Sequence, residues 1–264
     1  MDEVLVTGGS GHLGTDVVRL LLERGDRVRV LSRTPRAGAD VRTVEGDLAT
    51  GRGIREAVSG VRAIVHAATL SPAARRGHFL PVDFVTSPPD VDVHGTRQLL
   101  DEAQRAGVEH FLHVSIVGVQ QSKVPYLRRK AEAENIVRSA AVPWTIVPAT
   151  PFYWLLARFH DHMRKQRLWI APSNLRMQPG DSAEFAPYVV ESLGTGPAGD
   201  RPCFAGPEVL SQADIARQYQ AARDVHHRIL EFPLPGFAIG AGGPQTCTDG
   251  RLGTTTWAQW LAKH

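Results

Sequence analysis

Tyr126 and Lys130 stand four residues apart in the run Tyr126-Leu127-Arg128-Arg129-Lys130, a spacing that puts both side chains on one face of a helix. An ammonium so placed lowers the pKa of a neighbouring phenol. A positioned phenol can then protonate a carbonyl oxygen as hydride arrives, or deprotonate an alcohol in reverse. The lysine is itself informative, because the chain holds 26 arginines and only 4 lysines. A position needing only positive charge would follow that bias, whereas this one asks for a compact ammonium. Ser115, ending an apolar run, is the candidate for the hydroxyl that orients a substrate oxygen, with Ser122 in the next loop as its rival.

Such chemistry needs a hydride carrier, and the N-terminus has a place for one. The apolar run Val4-Leu5-Val6-Thr7 leads into Gly8, Gly9, Ser10, Gly11, His12, Leu13 and Gly14, then into a helical pattern from Val17 to Leu22. Gly9, Gly11 and Gly14 satisfy G-x-G-x-x-G, while Gly8, Gly11 and Gly14 satisfy G-x-x-G-x-x-G. A strand, a tight glycine loop and a helix N-terminus in that order hold a pyrophosphate. The next strand, Arg27-Val28-Arg29-Val30-Leu31, ends in Ser32-Arg33-Thr34-Pro35-Arg36. An acid at this strand end would bind the ribose 2′-hydroxyl of NAD; here Arg33 and Arg36 stand instead, suited to a 2′-phosphate. The expected cofactor is therefore NADP(H).

Further along, strands are expected at 41–45, 63–69, 110–115 and 144–147, with a helix over 92–106. Alternating strands and helices predict an α/β fold of Rossmann type, a doubly wound parallel sheet, over residues 1–150. Residues 151–264 form a small, less regular C-terminal substrate region packed on it. Ligands gather beyond the carboxyl ends of the strands in such a sheet, which brings Asp47, 66–69, Ser115 and 148–151 to one edge. Phe152, Tyr153 and Trp154 follow the last of these strands and would supply an aromatic substrate wall, whereas Leu155, Leu156 and Phe159 would pack the helix. The long stretch 71–90 reads as a candidate lid.

Composition fits one globular enzyme. Apolar residues make up 42%, charged residues 22%, and no apolar run is long enough to span a membrane. The net charge of +3 is scattered rather than gathered into a basic arm, which argues against a nucleic-acid partner. Cys203 and Cys247 imply neither a metal site nor a disulfide framework, and the histidines lack ligand spacing. With no leader ahead of the first strand, the cytoplasm is the expected compartment. Oligomeric state is open.

The ordered set TGGSGHLG, LSRTP, EGDL, VHAAT, DVHGTRQLLDEAQRAGV, HVSIVGV, YLRRKAEAENIV and PWTIVPATPF resembles the atypical short-chain dehydrogenase/reductases of the NmrA-like, NAD(P)H-binding kind, over residues 2–155. The resemblance implies that Asp47 and Leu48 flank the adenine and that Ala67, Ala68 and Thr69 line the cofactor. It also implies that Arg33, beside Ser32, meets the 2′-phosphate. Pro148 stands at the cofactor edge where relatives commonly carry Arg, and Asp92 where an Asn is common. The expected activity is NADP(H)-dependent reduction of a carbonyl, enone or quinone in an apolar or aromatic small molecule. Two alternatives stand beside it: a non-redox cyclase, isomerase or lyase on the same scaffold, and a redox-silent nucleotide sensor.

Overall fold

The computed structural model describes residues 3–34, 41–70, 83, 86–233 and 245–264. Strands β1 (Glu3–Thr7), β2 (Arg27–Ser32), β3 (Val41–Glu45), β4 (Ala63–His66), β5 (His110–Ile116) and β6 (Trp144–Ala149) form the centre of a sheet. Their order is β3-β2-β1-β4-β5-β6, and every pairing is parallel. This is the Rossmann order, with its switch point between β1 and β4.

Helices α1 (His12–Glu23), α2 (Ile54–Val58), α3 (Thr96–Arg105) and α4 (Pro125–Arg138) connect these strands, and a π-helical turn (Asp90–Gly95) opens α3. Beyond β6 come α5 (Tyr153–Met163), β7 (Leu168–Pro172), β8 (Arg176–Met177) and α6 (Ser182–Gly194). The chain then makes β9 (Gly199–Asp200), β10 (Phe204–Ala205), β11 (Leu210–Ser211), α7 (Gln212–Ala222), β12 (Arg228–Phe232), β13 (Arg251–Leu252) and α8 (Trp257–Lys263).

Both faces of the sheet are covered, which is why the inner strands β1 and β4 read as continuous apolar runs. Val4, Val6, Val28, Val30 and Val65 pack with Leu13, Val17 and Leu21 of α1 and Phe185 and Val189 of α6. Leu5, Ile64, Phe111 and Ile146 face the other way, onto α2, α3 and α4. A third cluster, built on Tyr153, Trp169, Tyr219, Trp257 and Trp260, holds the C-terminal elements together.

The division expected at residue 150 cuts across the sheet. β9 pairs with β6, and β10 and β13 extend the sheet beyond it, so this sheet holds nine strands among the described residues. The cysteines also differ from expectation. Cys203, just before β10, is bonded to Cys247, just before β13, with their Cα atoms 6.0 Å apart. Parallel pairing of two strands far apart in sequence brings them together, a contact that spacing alone does not reveal. No helix among the described residues is long and apolar enough to cross a membrane.

Candidate active site

At the end of β1 the chain turns sharply. Gly8 has a φ of 75°, in the left-handed region, and a Cβ on it would lie 2.7 Å from the Ala68 backbone nitrogen. A Cβ on Gly14 would lie 2.0 Å from the Gly8 carbonyl oxygen, so loop and helix interlock only as glycines. The Gly11 amide donates to the Gly8 carbonyl at 2.9 Å, and no side chain among the described residues caps α1. Ser10, Gly11 and His12 are exposed there, with no acid in the first helical turn. Uncapped amides at a helix N-terminus, in a cradle that any Cβ would fill, fit the diphosphate of a dinucleotide.

The neighbouring strand ends complete this edge. Ala67 and Ala68 run against the glycine loop, the Ala67 amide donating to the Thr7 carbonyl at 3.2 Å. Asp47 turns the chain after β3: its carboxylate accepts the Ala49 amide at 3.0 Å, and buried Leu48 packs beneath Gly95. Ser32 closes its own turn with Thr34, which leaves Arg33 exposed directly beyond β2. Arg36 and most of the 71–90 stretch lie outside the described residues.

Tyr126 and Lys130 occupy the first two turns of α4, which starts at Pro125. The Lys130 Nζ lies over the Tyr126 ring, 4.9 Å from its centroid. It also pairs with the Asp92 Oδ1 at 2.6 Å and donates to the Thr69 hydroxyl. Thr69 in turn donates to the same Asp92 oxygen at 2.7 Å. Asp92 sits in the π-helical turn before α3, a local widening that often marks functional sites. Burial pushes the phenol of Tyr126 above its ordinary value, Lys130 opposes this, and Asp92 adds to it. The expected lowering of the phenol is thus outweighed by desolvation.

Beneath this cluster, His66 at the end of β4 bridges Thr7 (2.7 Å) and Thr96 (2.9 Å), tying β1 to α3. Burial lowers its pKa to about 4, so it is a neutral structural imidazole at neutral pH. Among the described residues no cluster of His, Cys, Asp or Glu is arranged to hold a metal.

Three expected site residues point elsewhere. Ser115 donates to the buried Glu134 carboxylate at 2.5 Å, and that carboxylate also takes Gln120 (2.6 Å) and Arg138 (3.0 Å). Its hydroxyl is committed inside the fold because the alternation along β5 turns it toward the distal half of α4. Ser122 accepts the Val124 amide at 3.1 Å, at the entry to α4. Tyr153 is 1% exposed, its hydroxyl donates to the Thr255 carbonyl at 2.8 Å, and its ring packs on Trp257; it is core, not substrate wall. Phe152 is half-buried, with its ring 5.7 Å from Phe185.

Trp154 is the aromatic that reaches the glycine loop. It stacks on His12 with ring centroids 4.4 Å apart and planes at 21°, and Arg158 lies one turn on, close enough to help burial lower the His12 pKa. Helical phase was the available signal: Tyr153, Leu156, Ala157 and His160 form the buried face of α5, so Trp154 and Arg158 lie off it. Pro148 offers no donor at this edge and pairs in register with Ser115.

Comparisons with known proteins agree with this geometry. The chain is 25% identical over 88% of its length, and 72% of the relative's, to the photosystem II assembly factor Ycf39 of Cyanophora paradoxa. It is 27% identical to the NAD(P)H azoreductase of Xenophilus azovorans, over 93% of this chain and 84% of that one. Other curated relatives are longer, the chain spanning 58% of one and 32% of another. In fold it is similar to the NAD⁺ complex of the Bordetella bronchiseptica enzyme WbmH, with a TM-score of 0.74 and 15% identity over 99% of this chain and 96% of that one. The family described as NAD(P)H-binding matches residues 8–153, more than half the chain. With its glycine cradle, Rossmann strand order and Tyr–Lys pair, the chain belongs to that NAD(P)H-binding family, among the atypical short-chain dehydrogenase/reductases.

Proposed function

We propose that the protein is an NADP(H)-dependent reductase of a carbonyl, enone or quinone group in an apolar or aromatic small molecule. The observation that carries the reading is the Thr69–Asp92–Lys130–Tyr126 cluster on the same sheet edge as the glycine cradle. When bound, a reduced nicotinamide supplies hydride. The loop amides from Gly9 to Leu13 hold the diphosphate, Asp47 and Leu48 flank the adenine, and Ala67, Ala68 and Pro148 form the walls. Lys130 and Thr69 orient the ribose nearest the chemistry, and the Tyr126 hydroxyl gives the proton to the substrate oxygen. Phe152, partly exposed beyond β6, remains the proposed substrate contact.

Cofactor choice is the first test. Arg33 is exposed at the end of β2 with no acid beside it on that strand end, so NADPH is expected to bind more tightly than NADH. A charged hydrogen bond of roughly 1.5–3 kcal/mol corresponds to about a 10- to 100-fold preference, and Arg33→Ala should remove most of it. Calorimetric titration of both nucleotides decides the point, and equal affinities in the unmutated protein would reject the NADP assignment.

Two observations favour a second reading. The hydroxyl expected to orient substrate is locked on Glu134, and a similar protein is an assembly factor, which suits a redox-silent nucleotide sensor. Nucleotide binding without turnover on any carbonyl, enone or quinone would select it.

A further inference from the structure

Lys130 and Asp92 are both buried, at 6% and 4% exposure, and their 2.6 Å contact is a direct ion pair. Asp92 Oδ1 collects three donors, Lys130, the Thr69 hydroxyl and the Leu70 amide at 3.3 Å. Its Oδ2 is buried with no hydrogen-bond partner among the described residues. The ammonium is therefore anchored on a carboxylate and lies over the face of the Tyr126 ring. Among the described residues His66 of β4 and His113 of β5 are titratable groups packed here, with ring centroids 5.3 Å apart. Burial keeps both neutral near pH 7.

A free ammonium beside a phenol stabilises the phenolate. An ammonium paired with a carboxylate presents a dipole, whose field falls off faster than that of a charge, while desolvation still disfavours the phenolate. We infer that Asp92 is a positioning residue: by cancelling the charge of Lys130 at the Tyr126 hydroxyl, it keeps that hydroxyl protonated in the resting site, the state from which it can donate a proton. This rests on Tyr126 as the proton donor of the proposed reaction. In that direction the carbonyl C=O π bond breaks, its carbon gains hydride from the dihydronicotinamide, and its oxygen gains the Tyr126 proton. The carbonyl is reduced by two electrons and the dihydronicotinamide oxidised by two; solvent then returns a proton to the phenolate. The phenolate is the reactant of the reverse step and the product of this one, so the ion pair fixes the resting protonation state of Tyr126 rather than the equilibrium between the two directions.

The test reads the phenol directly. Protein labelled with ¹³Cζ-tyrosine is titrated by NMR without cofactor or substrate, and Tyr126→Phe assigns the resonance. The Tyr126 signal is expected to stay in the phenol form past pH 10, and Asp92→Asn should lower its midpoint by about one unit or more, at least a tenfold rise in acid dissociation. Asp92→Glu should stay near the unmutated value. If Asp92→Asn alone does not fold, the double variant Asp92→Asn/Lys130→Met removes both charges and should titrate within about half a unit of the unmutated protein. An unmoved midpoint in Asp92→Asn, or a rise of more than one unit in the double variant, would overturn the inference. Failure to bind NADPH in a separate titration would overturn the cofactor reading instead, and leave this result standing.

Discussion

Tyr126→Phe is expected to lower turnover about 10²- to 10⁴-fold while leaving NADPH affinity nearly unchanged, because the change removes one proton donor and no contact to the dinucleotide. Lys130→Ala should differ in kind. It strips the buried Asp92 of its partner and removes the proposed ribose contact, so affinity, turnover and melting temperature should all fall. The comparison is made by following NADPH oxidation with the best substrate from a panel of aromatic ketones, enones and quinones, beside fluorescence titration of NADPH. Unaltered turnover in Tyr126→Phe would remove the phenol as the acid and give weight to the sensor reading.

The second large effect is on stability in acid. His66 titrates near 4 in the folded protein, against 6.5 for an ordinary imidazole, and His110 is lowered by burial to about 4 as well. Between those values the unfolded chain binds more protons than the folded one, so stability is fully present above pH 6.5 and is lost as pH falls toward 4. At about 1.4 kcal/mol per unit, His66 alone accounts for roughly 3 kcal/mol across that window. Urea unfolding at pH 7.0 and 4.5 measures the loss. His66→Gln, which keeps partners for Thr7 and Thr96, should flatten the pH dependence while being less stable at pH 7; an unchanged slope would place the acid sensitivity elsewhere.

The inner strands β1 and β4 were legible because both of their faces are buried and they are written as apolar runs, Val4 to Val6 and Ala63 to Val65, whereas β2 carries the ion-paired Arg29 between Val28 and Val30 and the edge strand β3 buries only Val44. The glycine cradle was legible for the opposite reason, that the backbone itself approaches too closely for any side chain. Chain segments too short for periodicity were not. The strands β9, β10 and β13 have two residues each, so neither their return to the sheet nor the Cys203–Cys247 bond they bring about could be read ahead. Rotation about an element was the other blind spot. A step of one residue along α5 separates buried Tyr153 from Trp154 on the glycine loop, and Ser115 found a carboxylate 19 residues away that the ligand edge could not compete with. The Tyr126–Lys130 spacing was read correctly as a shared helical face, but the charge on that face depends on Asp92, which arrives from a different element.

The proposed reaction requires a dinucleotide lying along the β1–α1 cradle with its reactive ring at the Tyr126–Lys130 pair. A crystal structure of the protein with NADPH tests it most directly. Density is expected for the diphosphate on the amides between Gly8 and Gly14, for the 2′-phosphate at Arg33, and for the nicotinamide ring beside the Tyr126 hydroxyl. A nicotinamide turned away from Tyr126, or a dinucleotide bound anywhere but the glycine cradle, would contradict it.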